Sequence, residues 1–452
     1  MNRSPRALPP KVSGLPLVGA LPGLLKDRLE FLEAARQRQG DIYTLELGFT
    51  RSIILCHPRH TQHVLVDNMR NYTKGGAIWE SMRTFLGNGL PVSEGEFWKR
   101  QRRMVQPAFH HQRLVSLAGK MVDAIDECLP DWERAAGTQE PFDIASALSR
   151  ITMNVLVRTM FGTGLEAGEA ERVARSFTYV MDYLMVGMMT HSLPEWAPVP
   201  GRARYRQEIQ RIDEVVQRVI ERGLKGTGEQ DNILSLMLNT VDAESGERMT
   251  DGQLRDEAVS IFVAGYETTA AGLSWAFHLL NQNPGCAQRM RAEVEQVLGQ
   301  RAPGFMDLQS LGYTRAVFQE ALRLYSPSYW VPRTAVEDDE LDGYRIPPGM
   351  AVVVMTQLVH HHPEVWPQPL RFEPERFLPA NSEGRHRQAW MPFGAGQRQC
   401  IGKEFSLMEA QLILARIAQR YRMSPVPGRE ARLHVGSSLR TKNGVWVHLG
   451  KQ

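Results

Sequence analysis

Cysteine is scarce in this chain: Cys56, Cys128, Cys286 and Cys400 are the only four in 452 residues, and no two stand at a paired spacing. That excludes a disulfide framework and a cysteine-rich zinc module, and it fits a reducing compartment. Charge imbalance is lacking too. With 53 basic and 50 acidic residues the net charge is +3, which gives no footing for nucleic acid. Short basic runs, Lys99-Arg100 and Arg102-Arg103, read either as a docking patch for an acidic partner or as a solvated face. A long apolar run is also missing. The N-terminal "VSGLPLVGALPGLL" follows Arg3, Arg6 and Lys11, but Pro16 and Pro22 break a helix there, and about 14 residues cannot span a bilayer. It reads as a proline-ordered lead-in on the surface, and the expectation is a cytoplasmic chain without a membrane anchor. No repeat or low-complexity linker divides it.

What is present is mostly helical. "IYTLEL" and "SIILC" flank Gly48 and read as a hairpin. From there to about residue 300 the apolar spacing is helical, interrupted at Pro107, Pro130, Pro194, Pro198 and Pro200. In "RIDEVVQRVIERGLK", Val215, Val216, Val219 and Ile220 form one apolar face, with Gly223 near its end. From Leu341 the texture turns to short strands and turns, through "LDGYRIPPGMAVVVMTQLVHHHP". A helix returns after Cys400. The fold class is mainly α with minor β.

The stretch "LRDEAVSIFVAGYETTAAGLSWAFHLLNQNP" predicts a helix from about Leu254 to Asn283, roughly 45 Å at about 1.5 Å per residue. Asp256, Glu257, Glu267 and His278 oppose a membrane span, so it reads as a buried core helix. Its middle is odd for pure core. Ala264 and Gly265 remove bulk, while Glu267, Thr268 and Thr269 bring polar groups the interior must satisfy. Threonine hydroxyls can bond back one turn and bend the helix. Both a kink with satisfied threonines and a proton path beside a cavity fit this pattern.

"FGAGQRQCIG" surrounds Cys400 with little side-chain bulk. Gly394, Gly396 and Gly402 permit close approach, and a helix starting just beyond would favour a thiolate. Arg398 is a permanent cation and no base is adjacent. A thiolate held among amides beside a flat object reads as a metal ligand.

This loop resembles the F-G-x-G-x-R-x-C-x-G heme loop of the cytochrome P450 family at all six fixed positions, a coincidence with odds on the order of 10⁻⁵. Other segments agree in order. "EALR" holds Glu320 and Arg323, and "FEPERF" holds Arg376, which the resemblance joins in a Glu-Arg-Arg network beneath the cysteine loop. "AGYETT" is similar to the oxygen-activation segment. "FWKRQRR" is similar to the W-x-x-x-R element, with Trp98 and Arg102 on heme propionates, and "VPRT" supplies Arg333 for the same purpose. The likeness runs from about Pro9 to the last strands.

The resemblance implies a P450 fold, a triangular, mainly helical prism formed by residues 1–452 as a single domain without a fused reductase. It implies heme b between the cysteine loop and the middle of the long helix, with Cys400 as axial ligand. Trp98, Arg102, Ala264, Gly265, Thr268, Arg333, Phe393, Gly394, Arg398 and Gly402 would contact it, and Glu267 and Thr268 would relay protons. The sequence motifs suggest a soluble bacterial enzyme of the eukaryotic-like, fatty-acid-hydroxylase-like branch. The expected reaction inserts one oxygen atom from O2 into a lipophilic molecule such as a fatty acid, terpenoid or polyketide. Electrons would come from a separate ferredoxin or flavodoxin with an NAD(P)H-dependent reductase, docking near Lys99, Arg100, Arg103 and Lys403. A monomer is expected. Candidate substrate contacts are Phe85, Leu86, Tyr329, Trp330, Val331 and Leu439. Met181, Met185, Met188 and Met189 fall in an expected lid, and the direction of Tyr266 stays open. A peroxide-using or lipid-rearranging heme-thiolate enzyme is the alternative. A heme sensor is a third, disfavoured by the absence of an output domain.

Overall fold

The computed structural model describes residues 7–452 apart from 49, 163–168, 191–192, 195 and 226–231. In chain order the strands are β1 (Ile42–Leu47), β2 (Thr50–Leu55), β3 (Tyr72–Thr73), β4 (Phe142–Asp143), β5 (Val331–Ala335), β6 (Asp339–Leu341), β7 (Tyr344–Ile346), β8 (Ala351–Val354), β9 (Tyr421–Pro425), β10 (Leu433–Val435), β11 (Leu439–Thr441) and β12 (Trp446–Lys451). The chain divides into two compact units.

The first unit takes residues 1–79, 323–371 and 382–400. Its sheet has the order β1-β2-β8-β5-β3. The hairpin expected around Gly48 is there: β1 and β2 pair antiparallel, Ile42 opposite Leu55, and Gly48 takes φ +58°. β2 then runs parallel to β8, Ile53 opposite Val352. Both faces of that pairing are buried, Ile54 and Val353 on one and Ile53 and Val352 on the other. Ile53, Leu55, Val352 and Val354 form a cluster with Val64, Leu65, Met391 and Ala395. The core of this unit therefore ends directly on the segment that leads into Cys400.

The second unit holds residues 80–322, 372–381 and 401–452. Its helices include Ile144–Phe161, Glu169–Thr190, Arg202–Lys225, Asp251–Gln282, Pro284–Leu298 and Lys403–Arg420, with a small sheet β4-β12-β9 and the ribbon β10-β11. The Asp251–Gln282 helix is its spine. Gly272 sits where a Cβ would press on Leu322 and Phe318, so a small residue lets a neighbouring helix approach. No helix among the described residues is long and apolar enough to cross a membrane.

Three sequence expectations are corrected. The spine starts at Asp251, not Leu254, because Thr250 and Gln253 form a reciprocal capping box. Pro22 does not break a helix. It sits in the first turn of the short Leu21–Lys26 helix, where a missing N–H costs nothing. "TQLVH", read as strand and turn, is a helix, Thr356–His360. There the Gln357 side chain accepts from Ser326 N–H (3.2 Å), a long-range bond that local propensity cannot foretell. The proline breaks hold: Pro107 opens a 3-10 turn and Pro130 opens the Leu129–Thr138 helix.

Candidate heme-thiolate site

In the first unit, the chain between Met391 and Cys400 is a closed loop. Cys400 N–H donates to the Phe393 carbonyl (2.9 Å), Gly394 N–H to Met391 (3.0 Å) and Gln399 N–H to Gly396 (3.1 Å). Gly394 and Gly396 have φ of +71° and +67°, a region that side chains disfavour. Gly396 is constrained twice, since a Cβ there would lie 2.0 Å from the Leu65 carbonyl oxygen. Below the loop, the Met391 N–H donates to buried His360 Nε2 (2.8 Å). The Phe393 ring meets Trp390 edge-on at 6.0 Å.

The four cysteines separate by environment. Cys56 is fully buried, and burial pushes its thiol far above the usual range. Burial pushes Cys128 up to about 11. Cys400 alone is exposed. Cys128 and Cys286 are half-buried, and an accessible thiol on a glycine-pinched loop fits a flat, thiolate-bound group where the fully buried Cys56 does not.

The triad expected beneath the loop is placed as follows. Glu320, fully buried, accepts from Glu373 N–H (3.0 Å) and lies 3.5 Å from Arg376 Nε. Arg376 also pairs with Glu373 at 2.8 Å. Arg323, fully buried, donates to the carbonyls of His360 (2.9 Å), Pro369 (2.6 Å) and Arg371 (3.1 Å) and lies over the Trp366 ring. Arg323 thus ties down the same His360 that holds Met391. That link was not legible in "EALR".

In the second unit, the middle of the spine is mostly buried, but Ile261, Ala264, Gly265 and Thr268 are accessible, and Glu267 beside them is partly so. The first four are spaced three, four and seven apart, one face of a helix. An open stripe of small side chains in a buried helix fits a flat group as well. The helix is continuous through it, and the threonines are satisfied within it: Thr268 Oγ1 donates to the Ala264 carbonyl (2.8 Å) and Thr269 Oγ1 to Gly265 (3.2 Å). Gly265 has a further reason to be small: its Cβ would stand 2.8 Å from Leu156 Cδ1 on the Ile144–Phe161 helix.

Tyr266 is buried, its ring against Phe177 (5.5 Å) and Phe262 (6.2 Å), so it packs among helices. Glu267 accepts from Ser438 Oγ at 3.0 Å and lies 3.8 Å from Arg440 Nη1. Burial pushes its carboxyl up, while Arg440 and the Ser438 hydroxyl pull it back. Neither partner was foreseen. Ser438 is 171 residues away in sequence, and only β11 packing beside the spine unites them.

Among the remaining candidates, Trp98 is buried and Arg102 half-buried on the Gly95–Val105 helix, Arg102 Nε donating to Gln106 (3.2 Å). Arg333 on β5 is buried, donates to the Pro332 carbonyl (2.8 Å) and lies 6.0 Å from the Trp79 ring. Arg398 ends the 3-10 turn of the cysteine loop, and Gly402 caps the Lys403–Arg420 helix. Phe85 is buried against Phe177, Leu86 and Leu439 are buried, and Trp330 and Val331 are partly so. The Tyr329 hydroxyl accepts from Arg28 (2.9 Å), which gives that residue a structural partner. Met181 is half-buried, while the side chains of Met185, Met188 and Met189 lie outside the described residues.

The basic run is paired with acids. Lys99 pairs with Glu96 (2.6 Å), Arg100 with Glu247 (2.5 Å), Arg103 with Asp242 (3.1 Å) and Glu244 (2.9 Å), and Lys403 approaches Glu404 (3.7 Å). Acids distant in sequence meet Arg100 and Arg103, and near neighbours meet Lys99 and Lys403. A second metal-like grouping, Asp41, His57 and His362, brings its ligand atoms within 4.8 Å. Arg36 Nη1 stands 3.3 Å from Asp41 and 3.4 Å from His362 Nε2, so a cation already occupies that place.

Comparison with known proteins shows the family. The Cytochrome P450 family model matches residues 9–445. A cyclooctat-9-en-7-ol 5-monooxygenase of Streptomyces melanosporofaciens is 36% identical over 92% of this chain and 89% of its own. A pentalenene oxygenase of Streptomyces avermitilis is 32% identical over 92% of each. The crystal structure of cytochrome P450DA heme domain superposes with a TM-score of 0.88 at 25% identity, covering 99% of this chain and 98% of that one. This chain belongs to the cytochrome P450 family and is a heme-thiolate monooxygenase.

Proposed function

We propose that the chain binds heme b through Cys400 and oxygenates a cyclic terpenoid, with electrons from a separate ferredoxin or flavodoxin and its NAD(P)H-dependent reductase. The observation that carries the reading is the exposed Cys400 on its glycine-pinched loop, in a chain whose relatives include enzymes named for cyclooctat-9-en-7-ol and pentalenene. Heme-thiolate iron, when bound, supplies activation of O2 for insertion of one oxygen atom into a C–H or C=C bond.

The chain's own residues do the rest. Cys400 supplies the sulfur. Arg398, Arg333, Arg102 and Trp98 hold the propionates, and Phe393 and Gly394 shape the loop against the sulfur. Ala264 and Gly265 keep side chains off the stripe. Thr268 holds a proton on Oγ1, and Glu267 next to it takes up and returns one. Phe85, Leu86, Trp330, Val331 and Leu439 are the proposed apolar contacts for a hydrocarbon skeleton. This acid–alcohol pair favours O2 over a peroxide-driven reaction.

Two measurements test the reading. Cyclic terpenes and terpene alcohols should shift the heme spin state at lower concentration than fatty acids or polyketides, and should give singly oxygenated products with a surrogate ferredoxin system. A preference for linear fatty acids removes the terpenoid assignment. Cys400→Ser should lose the red-shifted Soret band of the ferrous carbon-monoxide complex, and retention of that band removes the ligand assignment.

A further inference from the structure

Glu267 is held by a device that no motif announces. Ser438 Oγ donates to its Oε1 at 3.0 Å. Arg440 on β11 faces two carboxylates at once. Its Nη2 donates to both oxygens of Asp182, at 2.9 and 2.7 Å. Its Nη1 is buried, makes no hydrogen bond among the described residues, and stands 3.8 Å from Glu267 Oε1. The hydrogen bonds of Arg440 to a carboxylate therefore go through Nη2 to Asp182 on the Glu169–Thr190 helix, while Glu267 receives its field without its grip. Gly436, at the turn before Ser438, leaves room for this: a Cβ there would lie 3.0 Å from Asp182 Oδ1 and 2.9 Å from His434 Nε2.

We propose that Ser438 and Arg440 are positioning residues for the proton-delivering Glu267, and that Asp182, by engaging Arg440, keeps that carboxylate free to move. The proposal rests on the reading of Glu267 as a proton carrier. A carboxylate gripped by a guanidinium is a poor relay, because bidentate charge-assisted bonds fix it in place and in its ionised form. A carboxylate with no cation nearby and buried stays neutral. The arrangement lies between these limits. Charged and titratable groups facing Glu267 are Arg440 on β11 and Asp182 on the Glu169–Thr190 helix, with His434 on β10 3.4 Å from Asp182, and Tyr266 beside it on the spine. Asp182 is partly exposed and Glu267 nearly buried, so the chain of contacts also runs from the surface inward.

The two halves of the device predict opposite shifts. In the heme-loaded ferric protein, the infrared carboxyl band that Glu267→Gln abolishes reports the ionisation of Glu267. Arg440→Gln should move its midpoint to higher pH by about one unit or more, and Ser438→Ala should move it the same way by less. Asp182→Asn should move it to lower pH, because Arg440 can then close on Glu267. Arg440→Lys, which keeps the charge, should fall between wild type and Arg440→Gln and serves if the latter folds poorly. An unmoved midpoint in the Arg440 variants, or an upward move in Asp182→Asn, overturns the proposal. Product formed per NAD(P)H is followed in parallel. If midpoints move as stated but Glu267→Gln leaves that ratio and its pH profile unchanged, the positioning stands and the proton-carrier reading falls.

Discussion

The backbone carbonyl of Leu65 stands 2.0 Å from where a Cβ on residue 396 would be. Since backbone cannot move aside as a side-chain end can, Gly396→Ala has to displace either the segment at Leu65 or the loop that carries Cys400. The expected outcome is protein with little bound heme, read as the ratio of Soret to protein absorbance. Gly394→Ala is the control: its φ is also positive, but nothing lies within 4 Å. It should cost about 1–2 kcal/mol of strain and keep its heme. Equal heme content in both variants contradicts this account.

Glu257 on the spine accepts from Leu90 N–H at 3.1 Å, and burial pushes its carboxyl up to about 8. Below about pH 4.5 the folded and unfolded chains both hold this proton. Between there and pH 8 the unfolded chain releases it and the folded chain keeps it, so this group's contribution to stability declines as pH rises, by at most about 1.4 kcal/mol per unit. Glu257→Gln removes that decline. Melting temperatures of variant and wild type should converge near pH 5 and separate in the variant's favour toward pH 8. A constant gap across that range counts against the buried neutral acid.

Thr268 donates its hydroxyl to the Ala264 carbonyl, so the helix already holds that proton in place. Thr268→Ala should leave heme content unchanged and lower product per NAD(P)H roughly 10- to 100-fold, with peroxide making up the difference. Thr268→Ser should restore most of it. Unchanged coupling in the alanine variant contradicts the assigned role.

Glu320 and Arg376 are both buried, at 0% and 8% side-chain exposure. Glu320→Ala leaves a buried cation with less compensation and should lower unfolding free energy by about 3–5 kcal/mol. Glu320→Gln, which can still accept from Glu373 N–H, should lose less. Chemical denaturation of the two variants decides it, and equal losses would mean that charge is not what matters here.

Local chemistry made much of this legible in advance. The glycines flanking Cys400, the small residues and paired threonines of the spine, and the alternation in "IYTLEL" each carry their reason within a few residues, because loop φ, helix back-bonding and strand burial are short-range effects. Motif order extended that to a family. Length along the chain is where legibility stops. Arg100 and Arg103 are cations in any reading, yet whether they make a basic surface depends on Glu247, Asp242 and Glu244, which folding brings to them.

Amino-acid order alone determined which thiol the glycines surround, roughly where the spine runs and which acid and alcohol lie at its middle. Tertiary structure decided that Glu267 answers to Ser438 and Arg440, that Gly265 yields to Leu156, and that Tyr266 turns into helix packing. The physical reason is that side-chain identity and backbone geometry are local properties. Burial, ionisation and pairing belong to whichever distant residues the fold makes into neighbours.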